Sequence, residues 1–502
     1  MNNKPGKTYY SREINIGDLW IGGHHPVLVQ TMTNTSISDI RSTVDQIKQV
    51  VQLGCHLVRV AVPSLKETEQ LPVIKNLLKK EGVNIPLVAD VHYSAAIAER
   101  SARYVEKVRI NPGNFIREVL KEDYTEQDFT WAKEQIAENV KPLLKVCKTY
   151  GTALRIGVNW GSLSPRMLYR YGNTPKGMVA SALEFMEILT DQGFQNLTVS
   201  LKASDVRVMQ EANILLVEEM IKKGFYFPLH LGVTEAGADL PAKLKSAAGI
   251  GALLKIGIGD TIRVSLSEDP TEEIPVAQDV ISFTSPKKGF IHGTRHFFFK
   301  PESLPEKWQH QKVLIANKEK PADVQLSEKL KENGNQKGTK DLNHLKISKI
   351  TGKEPPDVFA IKSAVIFGHD FLTKGVNTIL LDHPDISPEN LYNLSEEILQ
   401  ALGLRYSKAE FIACPSCGRT KINVLEHLQN VKKKTAHLKG LKIAVMGCPV
   451  NGPGEMADAD YGYVGTGKGK ITLYKKGTPV LKNIDEKEAV EQLVQLIKKD
   501  MD

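Results

Sequence analysis

Up to about residue 268 the chain alternates short, β-branched apolar runs with longer stretches whose apolar residues recur at helical spacing. The runs are Val27–Met32, Leu57–Val62, Ile85–Val91, Val105–Ile110, Ala153–Val158, Leu197–Ala203, Pro228–Val233 and Thr261–Leu266. Amphipathic stretches such as Ser42–Leu53 and Met178–Gln192 lie between them. Eight βα units in roughly 250 residues predict a TIM (β/α)8 barrel. A doubly wound open sheet alternates in the same way, but no glycine-rich dinucleotide fingerprint follows the first run.

The pattern then changes twice. Residues 285–395 open with a Lys-, Glu- and Pro-rich half of little periodicity and regain apolar runs in VFAIKSAVIFG and TILLDHP. This predicts a partly ordered insertion, partly flexible and partly folded, closed by the helical SEEILQALGLR. From about residue 405 a compact α+β unit begins. It reads as a strand (EFIACPS), a helix over 420–438, a strand (LKIAVMG), a glycine-rich loop, a hairpin (KITLYKKGTPVLK) turning at Gly477, and a last helix from about Glu486. The chain is therefore read as an α/β protein: a barrel domain over 1–284, a spacer over 285–395 and an α+β domain over 396–502.

Strand alternation separates the faces of the barrel runs. In KVRINPG, Val108 and Ile110 share one face, Arg109 and Asn111 the other. Arg155 and Asn159, Lys202 and Ser204, Arg263 and Ser265, Asp90 and His92, Arg59 and Thr31 fall on polar faces by the same rule. Helices cover a barrel's outside, so these polar faces point inward. Five cations, Arg59, Arg109, Arg155, Lys202 and Arg263, then converge at one end. Inward carboxylates are few, chiefly Asp90, Glu235 and Asp260. Burying unpaired charge is costly, so the missing counter-charge is expected from a phosphate or diphosphate ligand. Internal salt bridges are the competing reading. His92 and His230, taken singly, fit satisfied core histidines. Glu235 ends a strand in HLGVTEAG, where barrel enzymes place catalytic groups, and is the acid–base candidate.

Composition adds the compartment. Of five cysteines, Cys55 and Cys147 sit in apolar stretches and read as packing residues. An odd count in a long chain is not a disulfide framework. With no apolar h-region near the N-terminus and no apolar run long enough to span a bilayer, a cytoplasmic protein without membrane association is expected. The net charge of +8 raises the possibility of an RNA-binding module. The lysine-rich runs lack interleaved aromatics, so no nucleic-acid partner is expected, although a basic face suits an acidic protein.

The other three cysteines fall within 35 residues. Cys414-Pro-Ser-Cys417 places two thiolates on one turn, and Cys448 follows in GCPVNGPGE. Three thiolates suit three irons of a cubane, and Glu455 lies close by for the fourth. A structural zinc completed by His427 or His437 competes, and with it a non-redox barrel enzyme acting on a phosphorylated substrate. A redox dithiol fits less well, since the motif opens no helix in a βαβ context.

Together the motifs QTMTNT, LVRVAVPS, PLVADVHY, VRINPGN, LRIGVNWGSLS, SLKASDV, HLGVTEAG, GIGDTIRVSL, ACPSCGRT and GCPVNGPGE closely resemble the 4-hydroxy-3-methylbut-2-enyl diphosphate synthase family of the non-mevalonate isoprenoid pathway. The resemblance covers about 20–280 and 395–500. It implies an iron–sulfur oxidoreductase that opens 2-C-methyl-D-erythritol 2,4-cyclodiphosphate reductively to (E)-4-hydroxy-3-methylbut-2-enyl diphosphate. It implies a [4Fe-4S] cluster on Cys414, Cys417, Cys448 and Glu455, with electrons from reduced ferredoxin or flavodoxin. It implies that Arg59, Arg109, Arg155, Lys202, Arg263 and Ser265 hold the diphosphate, and that Glu235, assisted by Asn159, works beside the reacting carbons, with Glu455 also catalytic. The C-terminal unit resembles sulfite and nitrite reductase cluster domains. Short family members lack the insertion and others carry a larger, barrel-like one; 285–395 falls well short of the ~250 residues of a full second barrel. A homodimer, in which one chain's cluster caps its partner's barrel as the resemblance implies for short members, and closure of one chain on itself are both left open.

Overall fold

The computed structural model describes residues 8–284, 290–291, 314–316, 346–418, 420–449, 452–456 and 458–501. Eight parallel strands form one sheet: Leu28–Met32, Leu57–Ala61, Leu87–Asp90, Lys107–Ile110, Ala153–Asn159, Leu197–Lys202, His230–Leu231 and Thr261–Ile262. A parallel bridge between Val199 and Leu229 joins the sixth to the seventh and closes the barrel. All eight runs read from the sequence are strands, though the last two are cut to two residues each. Helices cover the outside, so the strands are buried on both faces.

A hairpin that the sequence pattern did not reveal, Ile14–Ile16 with Leu19–Ile21, plugs the N-terminal mouth. Its Ile14, Ile16 and Ile21 pack on Leu28, Leu57, Val88 and Ala153, the inward side chains at the strands' N-terminal ends. This apolar floor leaves only the C-terminal mouth open. Cys55 and Cys147 are buried in the main core, as expected of packing residues.

The first half of the insertion lies largely outside the described residues. Its second half folds. Strands Leu314–Ala316, Thr378–Asp382 and Ile347–Thr351 make a parallel sheet with the 378–382 strand in the middle. Helix Pro356–Lys374 lies against the barrel helix Asp239–Lys255, and small residues set the approach. A side chain at Gly251 would meet Val365, and one at Gly368 would come within 2.7 Å of the Ala248 carbonyl oxygen. The closing helix runs Pro388–Ala401, with Ser387 as its N-cap, and so crosses the 395/396 boundary drawn from the sequence.

The C-terminal domain is a five-stranded sheet in chain order, Glu410–Ala413, Lys442–Met446, Tyr461–Gly467, Lys470–Lys475 and Thr478–Asp485, with helices Val424–Thr435 and Glu486–Met501. The strand Tyr461–Gly467 stands where the sequence suggested a glycine-rich loop. Its glycines serve contact: a Cβ at Gly462 would strike the Met456 sulfur at 2.3 Å. No helix among the described residues is long and apolar enough to cross a membrane.

Candidate active site

The C-terminal domain sits over the open mouth of the same chain's barrel. The Ala413 amide donates to the Glu235 carbonyl at 3.3 Å, and the Ser267 hydroxyl donates to the Cys414 carbonyl at 3.2 Å. Gly161 and Gly454 meet backbone to backbone; a Cβ on Gly454 would lie 1.9 Å from the Gly161 oxygen. Between the two domains a cavity is lined from below by the barrel and from above by Cys414, Cys417, Cys448 and Glu455.

Arg59, Arg109, Arg155, Lys202, Arg263 and Ser265 all line this cavity, as do Asp90, His92, Asn159 and Glu235. Arg109 and Arg263 are paired with carboxylates. Arg109 Nη1 lies 3.2 Å from Asp90, and Nη2 donates to the Gly157 carbonyl at 2.8 Å. Residue 157 must be glycine, because a Cβ there would fall 2.3 Å from Arg109 Nε. Arg263 is held by both oxygens of Glu273, at 3.1 and 2.8 Å. At Arg155, Nε and Nη1 are buried without a partner among the described residues. Burial, then Arg59 and Arg109, pull its guanidinium well below its ordinary pKa. Burial followed by Arg155 and Arg59 does the same to the Lys202 ammonium. The site is thus short of negative charge, as an anion site is before its ligand arrives.

Three of the sequence assignments need correction. Inward alternation in the first strand runs Leu28, Gln30, Met32, so Thr31 points outward and donates to Glu273 at 2.6 Å. Asp260 is not at the mouth; it accepts from the Ser11 hydroxyl at 2.6 Å and the Leu229 amide at 2.7 Å. His230 is only half satisfied: Nδ1 faces the Thr261 hydroxyl at 2.8 Å, while Nε2 has no partner.

Two residues were missed. Glu273 comes from the helix after the last strand, where no alternation signals it. Lys107 shares the parity of Arg109, so the same rule would have found it. It is 0% exposed, its Nζ has no partner among the described residues, and burial followed by Arg155 and Arg59 lowers its pKa well below that of an ordinary lysine.

Glu235 lies in the loop after strand His230–Leu231, in left-handed backbone, φ 48°, unusual for a residue with a side chain. That twist turns its carbonyl toward Ala413 and its carboxyl into the cavity, where it meets Glu455. Glu455 is carried on the short helix Gly452–Glu455 and accepts from Asn159 Nδ2 at 2.9 Å. Burial raises the pKa of both carboxyls; Glu455 is pushed further, its neighbour Glu235 adding to burial.

Among the described residues no three His, Cys, Asp or Glu side chains converge on a single ion position. In a cubane each thiolate binds a different iron, so its ligands stand apart around one hollow. Cys414, Cys417, Cys448 and Glu455 lining one cavity wall fit that requirement. The Gly447 amide donates to Cys414 Sγ at 3.2 Å, the kind of contact that steadies a cluster thiolate. Burial, with Cys417 and Cys448 adding to it, pushes the Cys414 thiol up to about 12, so a bound metal would have to hold it ionised. The histidines invoked for zinc do not line this wall: His427 Nδ1 is engaged by the Tyr463 hydroxyl at 2.8 Å, and His437 is exposed in the turn after helix Val424–Thr435.

Residues 11–278 match the family described as GcpE TIM-barrel domain, and residues 410–499 the GcpE protein C-terminal domain. The chain is similar to proteins named 4-hydroxy-3-methylbut-2-en-1-yl diphosphate synthase (flavodoxin). It is 37% identical to that of Bacteroides fragilis, covering 97% of this chain and 96% of the relative. It is 35% identical to that of Leptospira interrogans, again over 97% and 96%. It is 37% identical to that of Akkermansia muciniphila, with the same coverage. The first alignment runs over 604 positions, more than the 502 residues here, so that relative carries sequence without a counterpart in this chain.

Proposed function

The chain belongs to the GcpE family of 4-hydroxy-3-methylbut-2-enyl diphosphate synthases, and from that premise we propose how its site works. The enzyme converts 2-C-methyl-D-erythritol 2,4-cyclodiphosphate to (E)-4-hydroxy-3-methylbut-2-enyl diphosphate in non-mevalonate isoprenoid biosynthesis. One ring C–O bond to the diphosphate breaks and one hydroxyl leaves as water, which takes up two electrons and two protons. The observation that carries the reading is the shared cavity, with surplus cations on its barrel side and three cysteines on its roof.

Arg155, whose Nε and Nη1 have no partner among the described residues, and Lys202 hold the diphosphate together with Arg59, Arg109, Arg263 and Ser265. Fixing that end orients the ring carbons toward Cys414, Cys417, Cys448 and Glu455. Those four residues would hold a [4Fe-4S] cluster, which supplies electrons one at a time and a Lewis-acidic iron. Asn159 steers the Glu455 carboxyl. Glu235 and Glu455, two buried carboxyls in contact, share a proton that Glu235 can pass to the departing hydroxyl. The roof excludes water from the site. Because the roof belongs to the same chain, no second copy is needed to complete the cavity. The flavodoxin in the relatives' names makes a flavodoxin the donor of choice, with ferredoxin as the other carrier of the class. Five unpaired cysteines suit the reducing cytoplasm.

The test is an anaerobic assay of purified protein with the cyclic diphosphate and a low-potential reductant, alongside metal analysis. Iron, sulfide and formation of the linear diphosphate are expected. Zinc in place of iron, with no turnover, would overturn the reading.

A further inference from the structure

A second hollow lies on the outside of the seam between the domains. Its volume is about 1110 Å³, just above the ~300–1,000 Å³ of small-molecule sites, and it is open to solvent. Its floor is shared with the active-site cavity: Ser416, Cys417 and Thr420 line both. The Cys417 loop is therefore a wall with substrate space on one side and solvent on the other. On the solvent side the rim carries Lys421, Lys433, Lys434, Lys468 and Lys487, all exposed. Among the described residues only Lys434 of these has a carboxylate in reach, Glu491 at 3.5 Å. Glu426, Glu486 and Glu491 also line the groove, so its lysines still outnumber its carboxylates.

Resting on the iron–sulfur reading above, we infer that this groove is the docking surface for an acidic one-electron carrier protein, which delivers its electrons past Cys417. An open groove ringed by exposed lysines suits the surface of a protein partner. The charge selects an acidic partner and speeds its encounter. The groove lining contains no Phe, Tyr or Trp on which bases could stack, which sets it apart from a single-stranded nucleic-acid channel. The barrel supplies part of the groove through Asn34 and Ser36, and Gly418 packs against Thr35 with no room for a side chain. The surface is complete only when the roof is seated on the barrel, so the carrier meets an enzyme whose site is already closed.

The test uses anaerobically purified holoenzyme and a flavodoxin of net negative charge. Binding of oxidised flavodoxin is titrated by its flavin signal, and turnover is measured with reduced flavodoxin and, separately, with reduced methyl viologen. For Lys421→Glu/Lys468→Glu the expected result is affinity for flavodoxin weaker by at least about tenfold at low salt. Wild-type affinity should fall with added salt, and the variant's viologen-driven turnover should match wild type. If the pair damages the cluster absorbance, Lys433→Glu/Lys487→Glu probes the same rim. Flavodoxin affinity and salt dependence equal to wild type in an intact variant would overturn the docking surface. Loss of viologen-driven turnover in wild type itself would remove the proposed reaction instead, so the two failures are distinct.

Discussion

Arg155 and Lys202 stand at the centre of the barrel's cation group, and each other cation there raises the cost of keeping them charged. A bound diphosphate offsets that cost. Lys202→Ala and Arg155→Ala should each weaken binding of the cyclic diphosphate by about 1.5–3 kcal/mol, roughly 10- to 150-fold, with iron content unchanged. Equilibrium binding to the anaerobic variants checks this; unchanged affinity in both would remove the diphosphate site. Lys107 sits deeper, with no partner for its Nζ. Lys107→Met should stabilise the ligand-free protein by about 1–3 kcal/mol, the usual cost of an unsatisfied buried donor. The pH sign follows from the depressed folded pKa. Between it and the ordinary value of 10.5, the unfolded chain binds the extra proton, so wild-type stability rises with pH through that window. The methionine variant should lose that slope, as chemical denaturation at several pH values would register. Alternation in the sequence exposed Arg109, Arg155, Lys202 and Arg263 because a barrel interior reads every second residue. It misplaced Thr31 because the strand's phase is set by Leu28 on the apolar floor, which the run itself does not mark.

At the scale of elements, the chemistry depends on two short segments meeting: the turn after strand Ala153–Asn159 and the helix Gly452–Glu455. A side chain at Gly161 would come within 2.3 Å of the Gly454 carbonyl. Gly161→Ala should push back the helix that carries Glu455 and lower turnover by on the order of 100-fold, with iron content and thermal stability near wild type. Within the cysteine loops, changing any one of Cys414, Cys417 or Cys448 to Ser should strip most iron and sulfide. Glu455→Ala should keep the cluster's colour and lose most turnover. Iron analysis and visible absorbance separate the two outcomes, and a full complement of iron in each serine variant would sink the ligand assignment. The strands and helices of the barrel were legible from apolar periodicity. The strand Tyr461–Gly467 was not, because three glycines there erase the β signal that the packing of Met456 and Ile422 makes necessary. The plugging hairpin was missed because its runs are only three residues long.

At the scale of the molecule, one chain supplies both halves of the site. The contacts that join them, such as Asn159 to Glu455, span nearly 300 residues of sequence, and no local pattern encodes which barrel a roof covers. The folded half of the insertion is fixed on the barrel helix Asp239–Lys255 and leads directly into the roof, so it holds the roof within reach of its own barrel. The measurement that tests this account most directly is mixing a barrel-deficient variant, Arg155→Ala, with a cluster-deficient one, Cys448→Ser, under anaerobic conditions with the cyclic diphosphate and reduced methyl viologen. Wild type should turn over, and the mixture should show no more activity than its two components measured alone. Recovery of a substantial share of wild-type turnover would show that the site is built between chains and would contradict closure of each chain on itself.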